Sequence, residues 1–470
     1  MPFGTLCIAK PLCFMTKLKT MKKLIILLFL ISSTQIVKAQ IDSVLVVQLQ
    51  SVLDNSVSSS GNNGVSAHLI MPNGDIWNGT AGIGKDDLPI TDTTLFHGAS
   101  TTKFNIAILM LLLAEDGLID LDSSWNNYVS LNVGFDTLIT VRQLLNHTSG
   151  IADYLETVTA GNDITSDFNY FYTPQYILEN IVSGIPDFPA GTDFQYSNSN
   201  YVLAALIAEA VTGNSVQTEL RNRIWNPLGM NHTYFGAYET YTEPTAGVWW
   251  DFGSGLTNYS NMPTTSMLSY AYGAGNIVSC PTDLELMLNA LLSDQLLNAQ
   301  SLDEMLTFVP ESYSSWTAGY GLGIHHQFGQ TNDTVIGHDG YYTNLTDMFH
   351  SMNCGFTLVT MTNTQTSWFG IFNPMYDIVA DYCTSTNVQE IGIKVETDLT
   401  IYPNPAQNQF NITSEQIINE VVITDAIGRI YYKTNPYDKS ISLMIDTDGL
   451  YFVTVRLNEQ TVTRKLIVKN

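Results

Sequence analysis

Basic residues are scarce: 19 Lys and Arg stand against 44 Asp and Glu in 470 residues. Six of those bases fall in the first 39 residues, which carry no acid, so 13 bases face all 44 acids in the rest. Such a surface repels phosphate backbones and anionic headgroups, which excludes nucleic acid and acidic membranes as partners. Cysteine is scarce too. Of five, Cys7 and Cys13 lie in the leader, leaving Cys280, Cys354 and Cys383, an odd number without metal-ligand spacing. That rules out a disulfide framework; buried free thiols are expected, with room for one bridge at most. Charge makes up only 13% of the chain and apolar residues 45%, which excludes a disordered polypeptide.

Long apolar runs are confined to the start. Met21-Lys22-Lys23 precedes Leu24 to Ile31, and a polar end follows at Val37-Lys38-Ala39. A basic segment, an apolar run too short to span a bilayer and a small residue at Ala39 read as a signal peptide cut before Gln40. Residues 1–39 are thus a leader whose true start is Met21, and the mature chain carries no transmembrane segment.

Composition changes near residue 390. Residues 394 onward hold eight of the 13 exported bases and nine acids; residues 40–393 hold five bases and 35 acids. Two folding units are implied: 40–388 and 399–470, joined by a linker at 389–398. The larger mixes strand-like pieces near both ends with apolar helical pieces at Phe104 to Ala114 and Tyr201 to Val211, an α/β (α+β) pattern. Ser51 to Asn63, rich in Ser, Asn and Gly, reads as a loop. The smaller alternates in character at Val421 to Ile423, Leu450 to Leu457 and Val462 to Val468, which predicts a small antiparallel β domain.

Three short patterns carry chemistry. Ser100-Thr101-Thr102-Lys103 opens the first apolar helix, and Lys103 is the only Lys between residues 86 and 393. A three-residue step puts hydroxyl and amine on one helix face; burial lowers the amine's pKa, so that it can take the Ser proton, and the helix N-terminus favours the resulting negative charge. Tyr196-Ser197-Asn198 sits between the turn at Pro189-Ala190-Gly191 and the second helix, where a phenol could relay protons and an amide could hold a carbonyl or the Lys. His338-Asp339-Gly340 follows Thr334-Val335-Ile336 on a predicted strand. Gly there permits close backbone approach, and His338 offers a donor or a pH-dependent positive charge. His325-His326 is an adjacent pair whose side chains point to opposite faces of a strand, so no shared metal is expected. Other enzyme classes and their cofactors have no motif here: there is no H-E-x-x-H for zinc, no G-x-S-x-G elbow, no Walker A and no strand-borne G-x-G-x-x-G, so no cofactor is expected.

Together, in this order and spacing, the three patterns resemble the serine β-lactamase-like hydrolases, the group of class C β-lactamases, D-alanyl-D-alanine carboxypeptidases, D-aminopeptidases and esterases. Asn146 to Ile151, Pro227 to Met230 with Thr233, and Gly273 to Asp283 fit as further landmarks, over residues 45 to 375. The resemblance implies a β-lactamase/transpeptidase-like antiparallel sheet flanked by helices. It implies Ser100 as acylated nucleophile, Lys103 and Tyr196 as general-base pair, Asn198 as positioning amide, His338 to Gly340 as third motif, and Tyr341 completing an oxyanion hole with Ser100. His147 and Ser149 fall in a structural landmark. The third motif is H-D-G where class C enzymes have K-T-G, which weakens a β-lactamase reading. With Y-S-N it resembles the carboxypeptidase and D-aminopeptidase branches, which implies a D-alanyl-D-alanine carboxypeptidase-like hydrolase of D-amino-acid peptides, amides or esters, with an esterase or a non-catalytic surface binding protein as alternatives. The tail, from Leu399-Thr400-Ile401-Tyr402-Pro403-Asn404-Pro405 to Gly449 through Lys469, resembles the sorting domain of type IX secretion cargo. That implies a β-sandwich engaging the secretion machinery and a secreted or cell-surface protein.

Overall fold

In the computed structural model, the described residues are 41–59, 63–157, 159–251, 255–310, 317–328, 333–364, 369–388, 399–425, 430–447, 449–457 and 460–469. The expected leader with its signal peptide and the expected linker at 389–398 lie outside them. The chain forms two compact units that part at Asn387 and Val388.

A seven-stranded sheet builds the centre of the first unit. Its strands are β1 (Gly64–Ile70), β2 (Ile76–Gly82), β6 (Thr317–Tyr320), β7 (His325–Phe328), β8 (Thr334–Tyr341), β9 (Leu345–Ser351) and β10 (Thr357–Thr362), in the order β2-β1-β10-β9-β8-β7-β6, every neighbour antiparallel. The sheet is buried on both faces along β1, β8, β9 and β10. Alternation sends successive side chains to opposite layers. Val65, Leu69, Val335, Phe349 and Leu358 join a cluster with α1 (Ser43–Ser59) and α5 (Phe372–Val388). Ile336, Met348, Val359 and Met361 face the other cluster, with α2 (Thr101–Glu115), α3 (Asn198–Thr212) and α4 (Pro281–Leu292). A three-stranded antiparallel sheet, β3 (Phe96–His97), β5 (Ile277–Ser279) and β4 (Tyr234–Phe235) in the order β3-β5-β4, supports the entry to α2.

The loop expected over Ser51 to Asn63 is a helix through Ser59. Leu45, Leu49 and Leu53, four apart, are all buried on one stripe against the sheet. Burying each contributes about 1.5–3 kcal/mol, which overrides the weak helix propensity of Ser51, Asn55, Ser56, Ser58 and Ser59 in the same helix.

The second unit is a small antiparallel β-sandwich around Phe410, Ile412, Val421, Ile423, Val453, Val455 and Leu466. Its strands are β11 (Thr400–Tyr402), β12 (Gln409–Asp425), β13 (Ile430–Thr434), β14 (Asp438–Met444), β15 (Gly449–Leu457) and β16 (Gln460–Val468). The first half of β12 pairs with β11 and β14 and its second half with β13 and β15, across register breaks between Thr413 and Glu420. Such breaks let one long strand serve both layers.

Candidate active site

α2 begins where β3 turns sharply. Gly98 donates to Ile277 O (2.8 Å), Ala99 takes a left-handed φ of +48°, and Ser100 precedes the first helical residue. The Ser100 hydroxyl does not cap the helix. Its N–H, among the described residues, has no backbone acceptor, whereas Thr101, Thr102 and Lys103 donate to Gly98, Ala99 and Ser100 carbonyls. Both facts leave this residue's polar atoms for other work. From Thr101 through Leu111 the helix is buried on all sides, as its apolar composition requires, and Asn105 is satisfied by Trp225 Nε1 at 2.9 Å.

Lys103 is fully buried, and its Nζ meets three groups: Ser100 Oγ at 3.0 Å, Asn198 Oδ1 at 2.7 Å and Ala274 O at 2.8 Å. Burial pushes its pKa down from 10.5 to about 7, against the opposing pull of the carboxylates of Asp153 and Asp339. Asn198 is the first residue of α3, and its Nδ2 donates to Asp153 Oδ2 at 2.7 Å. Because a carboxylate mainly accepts, this bond turns the amide so that its oxygen faces Lys103. Asp153 is itself buried, which raises its pKa to about 6, and it accepts from Leu155 N at 2.9 Å. Ala274 reaches the amine because Gly273 lies against α3, where a Cβ would meet Tyr201 O at 2.4 Å.

Tyr196 hydrogen-bonds Ser100, and its ring centroid lies 4.8 Å from Lys103 Nζ. Burial holds its phenol well above 10, so Lys103 is the group tuned toward neutrality and Tyr196 stays protonated. His147 fixes this tyrosine. The imidazole lies against the phenol ring (centroids 4.2 Å apart), His147 O accepts from Gln195 N and His147 Nδ1 accepts from Ser197 N, each at 3.1 Å. His147 and Ser149 are buried in the framework, as the sequence suggested.

His338 lies on β8, fully buried. Its Nδ1 is 2.6 Å from Asp339 O and its Nε2 is 2.9 Å from the Tyr320 hydroxyl. A carbonyl can only accept, so Nδ1 carries a proton; in the neutral imidazole, which burial favours, Nε2 then accepts from the Tyr320 hydroxyl. Burial, with Lys103 and His325 nearby, depresses its pKa well below 6.5. Of the two roles expected of His338, a donor or a pH-dependent positive charge, burial disfavours the charge, and both ring nitrogens have partners. Gly340 has a clear physical reason, since a Cβ there would stand 2.4 Å from Gly98 O and 3.1 Å from Ser100 N. β8 thus runs directly against the turn before α2, with Tyr341 next in line and its ring 5.3 Å from Trp250.

Among the described residues, His325, His338 and Asp339 form a cluster whose polar atoms lie within 4.8 Å of one another. An ion there would have to take a nitrogen that His338 already commits to Asp339 O or Tyr320. His326 faces away and packs on Phe308. Sequence reasoning missed Asp153, Ala274 and Tyr320. Of these, only Asp153, two residues beyond the Asn146 to Ile151 landmark, had a neighbouring signal.

Residues 49–380 match the family described as beta-lactamase, and the chain belongs to that family. Residues 400–469 match the secretion system C-terminal sorting domain, which marks the chain for secretion or the cell surface. Among solved structures, a D-amino acid amidase of Ochrobactrum anthropi, in complex with L-phenylalanine amide, is 28% identical with a TM-score of 0.64, over 73% of this chain and 100% of that one. The penicillin-binding protein PbpX of Bacillus subtilis is 30% identical over 257 residues, 52% of this chain and 61% of its own length. An unguisins hydrolase of Aspergillus campestris is 27% identical over 329 residues, 62% of this chain and 56% of the relative. The chain thus spans little more than half the length of these curated relatives. No helix among the described residues is long and apolar enough to cross a membrane.

Proposed function

We propose that this chain is an exported serine hydrolase that forms an acyl-enzyme at Ser100 and acts on D-amino-acid-containing peptides or related amides and esters. The observation that carries the reading is the set of three partners around Lys103 Nζ. A neutral amine has two N–H bonds and one lone pair. Asn198 Oδ1 and Ala274 O can only accept and so take both N–H bonds, which leaves the lone pair for the Ser100 hydroxyl. Ser100 passes its proton to Lys103 as Oγ adds to the substrate carbonyl. The oxyanion forms between the N–H groups of Ser100 and Tyr341, at the positive end of α2. The Tyr196 hydroxyl protonates the leaving group and regains its proton from Lys103. Water then reverses these steps to release the acid.

The charges favour amide and ester substrates over a carboxypeptidase's free terminal carboxylate. Of the five bases in residues 40–393, Arg142, Arg221 and Arg223 are paired with carboxylates, Lys103 is internal, and Lys85 lies on the turn after β2. The O. anthropi relative's name agrees with this preference. The sorting domain would hand the chain to type IX machinery for passage from the periplasm across the outer membrane, followed by tail removal and release or surface attachment.

Intact-mass measurement after exposure to a fluorophosphonate and, separately, to a penicillin tests the reading. A fluorophosphonate adduct on wild type that is lost in a folded Ser100→Ala variant is expected. Folded wild-type protein that takes neither reagent would instead make this a binding protein on a hydrolase scaffold. A long-lived penicilloyl adduct would favour a carboxypeptidase-like enzyme over an amidase or esterase.

A further inference from the structure

Of the three exported cysteines, Cys280 is buried at the start of α4, whereas Cys354 and Cys383 share one corner of the sheet. Cys354 lies in the turn between β9 and β10, with its N–H donating to Ser351 Oγ at 3.0 Å. Cys383 lies on α5, and the two thiols hydrogen-bond each other beside Asp333. The buried Asp333 carboxylate holds turn and helix together: it accepts from Ser351 Oγ, from Asn353 N at 3.0 Å, and from the Tyr376 hydroxyl on α5 at 2.5 Å. Phe356 and Tyr376 add a ring contact with centroids 5.4 Å apart. Tyr376 and Cys383, seven residues apart, lie two turns along one helix face, so the same face carries both anchors.

We propose that Cys354 and Cys383 are a disulfide-forming pair, closed in the exported protein and pinning the end of α5 to the central sheet. Two thiols already in contact on anchored backbone need only small side-chain rotations to reach bonding geometry. A chain carrying a secretion sorting domain passes through a compartment where such bonds form and persist. The oxidant is a disulfide-bearing thiol oxidase of the cell envelope. One cysteine thiolate attacks it to form a mixed disulfide, and the second displaces it. The protein loses two protons and two electrons, one S–S bond forms, and the oxidase leaves as a dithiol. Cys280, with no cysteine beside it, stays a thiol. The link would secure the catalytic unit's last helix, from which the linker to the sorting domain departs, before and after removal of the tail.

The test uses the full chain exported from a host with an oxidising envelope, quenched in acid, then denatured and alkylated with N-ethylmaleimide, with proteolytic peptides read by mass spectrometry. The expected result is alkylation of Cys280 alone without reductant, alkylation of all three after reduction, and a linked peptide joining Cys354 to Cys383. Alkylation of Cys354 and Cys383 without prior reduction would overturn the proposal. A second measurement guards against misfolded material. Reductant should lower the melting temperature of wild type by about 5–10 °C and leave a Cys354→Ala/Cys383→Ala variant unmoved. Equal insensitivity of both proteins would overturn the bridge. Fluorophosphonate labelling of Ser100 reports independently that the variant is folded.

Discussion

The first turn of α2 and the strand β8 meet at Ser100, and each brings a basic side chain fully out of water, yet the two are engaged differently. Lys103 has two carbonyl acceptors and one hydroxyl around its nitrogen, so its neutral form aims a lone pair at the Ser100 hydroxyl, the proposed nucleophile. His338 has one acceptor and one donor, so its neutral form uses both nitrogens and aims nothing at the substrate. Burial depresses both pKa values. What separates the proposed base from the proposed brace is thus the sign of the partners: acceptors free a lone pair, while an acceptor with a donor consumes it.

The sharpest way to break that contrast is Lys103→Met. Loss of the base should lower kcat/KM by about 100- to 10,000-fold and remove the acid limb near pH 7 from what activity remains. Stability offers a second reading. The folded-state pKa of the amine, about 7, lies below its ordinary 10.5, so between these values the unfolded chain holds a proton that the folded chain lacks. The contribution of Lys103 to stability therefore rises with pH across this window and levels off above it, by at most about 1.4 kcal/mol per pH unit. Denaturant unfolding from pH 6.5 to 10 should show the wild type gaining on the variant as pH rises. A flat difference would mean that the amine is charged in the folded protein.

A smaller effect is expected from Asp153→Asn. The carboxylate both raises the Lys103 pKa and turns the Asn198 amide. Without the negative charge the acid limb should move to lower pH by about one unit. With the amide less firmly held, the plateau rate should fall about tenfold, the worth of one charge-assisted hydrogen bond. A pH–rate profile on a D-amino-acid amide reads both, and an unmoved limb would assign Asp153 to framework alone.

These partners also mark where the sequence stops being legible. Ser100 and Lys103 were readable because a helix brings residues three apart together whatever the rest of the chain does. Gly340 was readable as a close approach, although what it approaches, Gly98 O and Ser100 N, is fixed only by the sheet. Asp153 reaches Asn198 across 45 residues, and Tyr320 reaches His338 because β7 lies beside β8 while β6 carries Tyr320 back alongside. Ala274 acts through a carbonyl that every residue type has, so no sequence signal marks it. The misread loop at Ser51 to Ser59 has a related root, because its composition speaks for a loop while three leucines answer to an apolar layer that joins β1 and β2, next in the chain, to β10 and α5, hundreds of residues later.

The smallest effect, and the one that tests the other half of the contrast, is His338→Gln. If His338 is a neutral brace, its duties are to donate to Asp339 O and to accept from the Tyr320 hydroxyl, and an amide carries one donor group and one acceptor that can stand in for both. Activity on neutral amides and esters should stay within about fivefold, roughly the cost of one imperfect neutral hydrogen bond. The acid limb should stay at its wild-type position, because the depressed pKa leaves the imidazole uncharged across that range. A limb that moved, or a loss confined to substrates bearing a carboxylate, would instead show that the imidazole is charged in the working enzyme. It would then offer a positive charge to the substrate carboxylate.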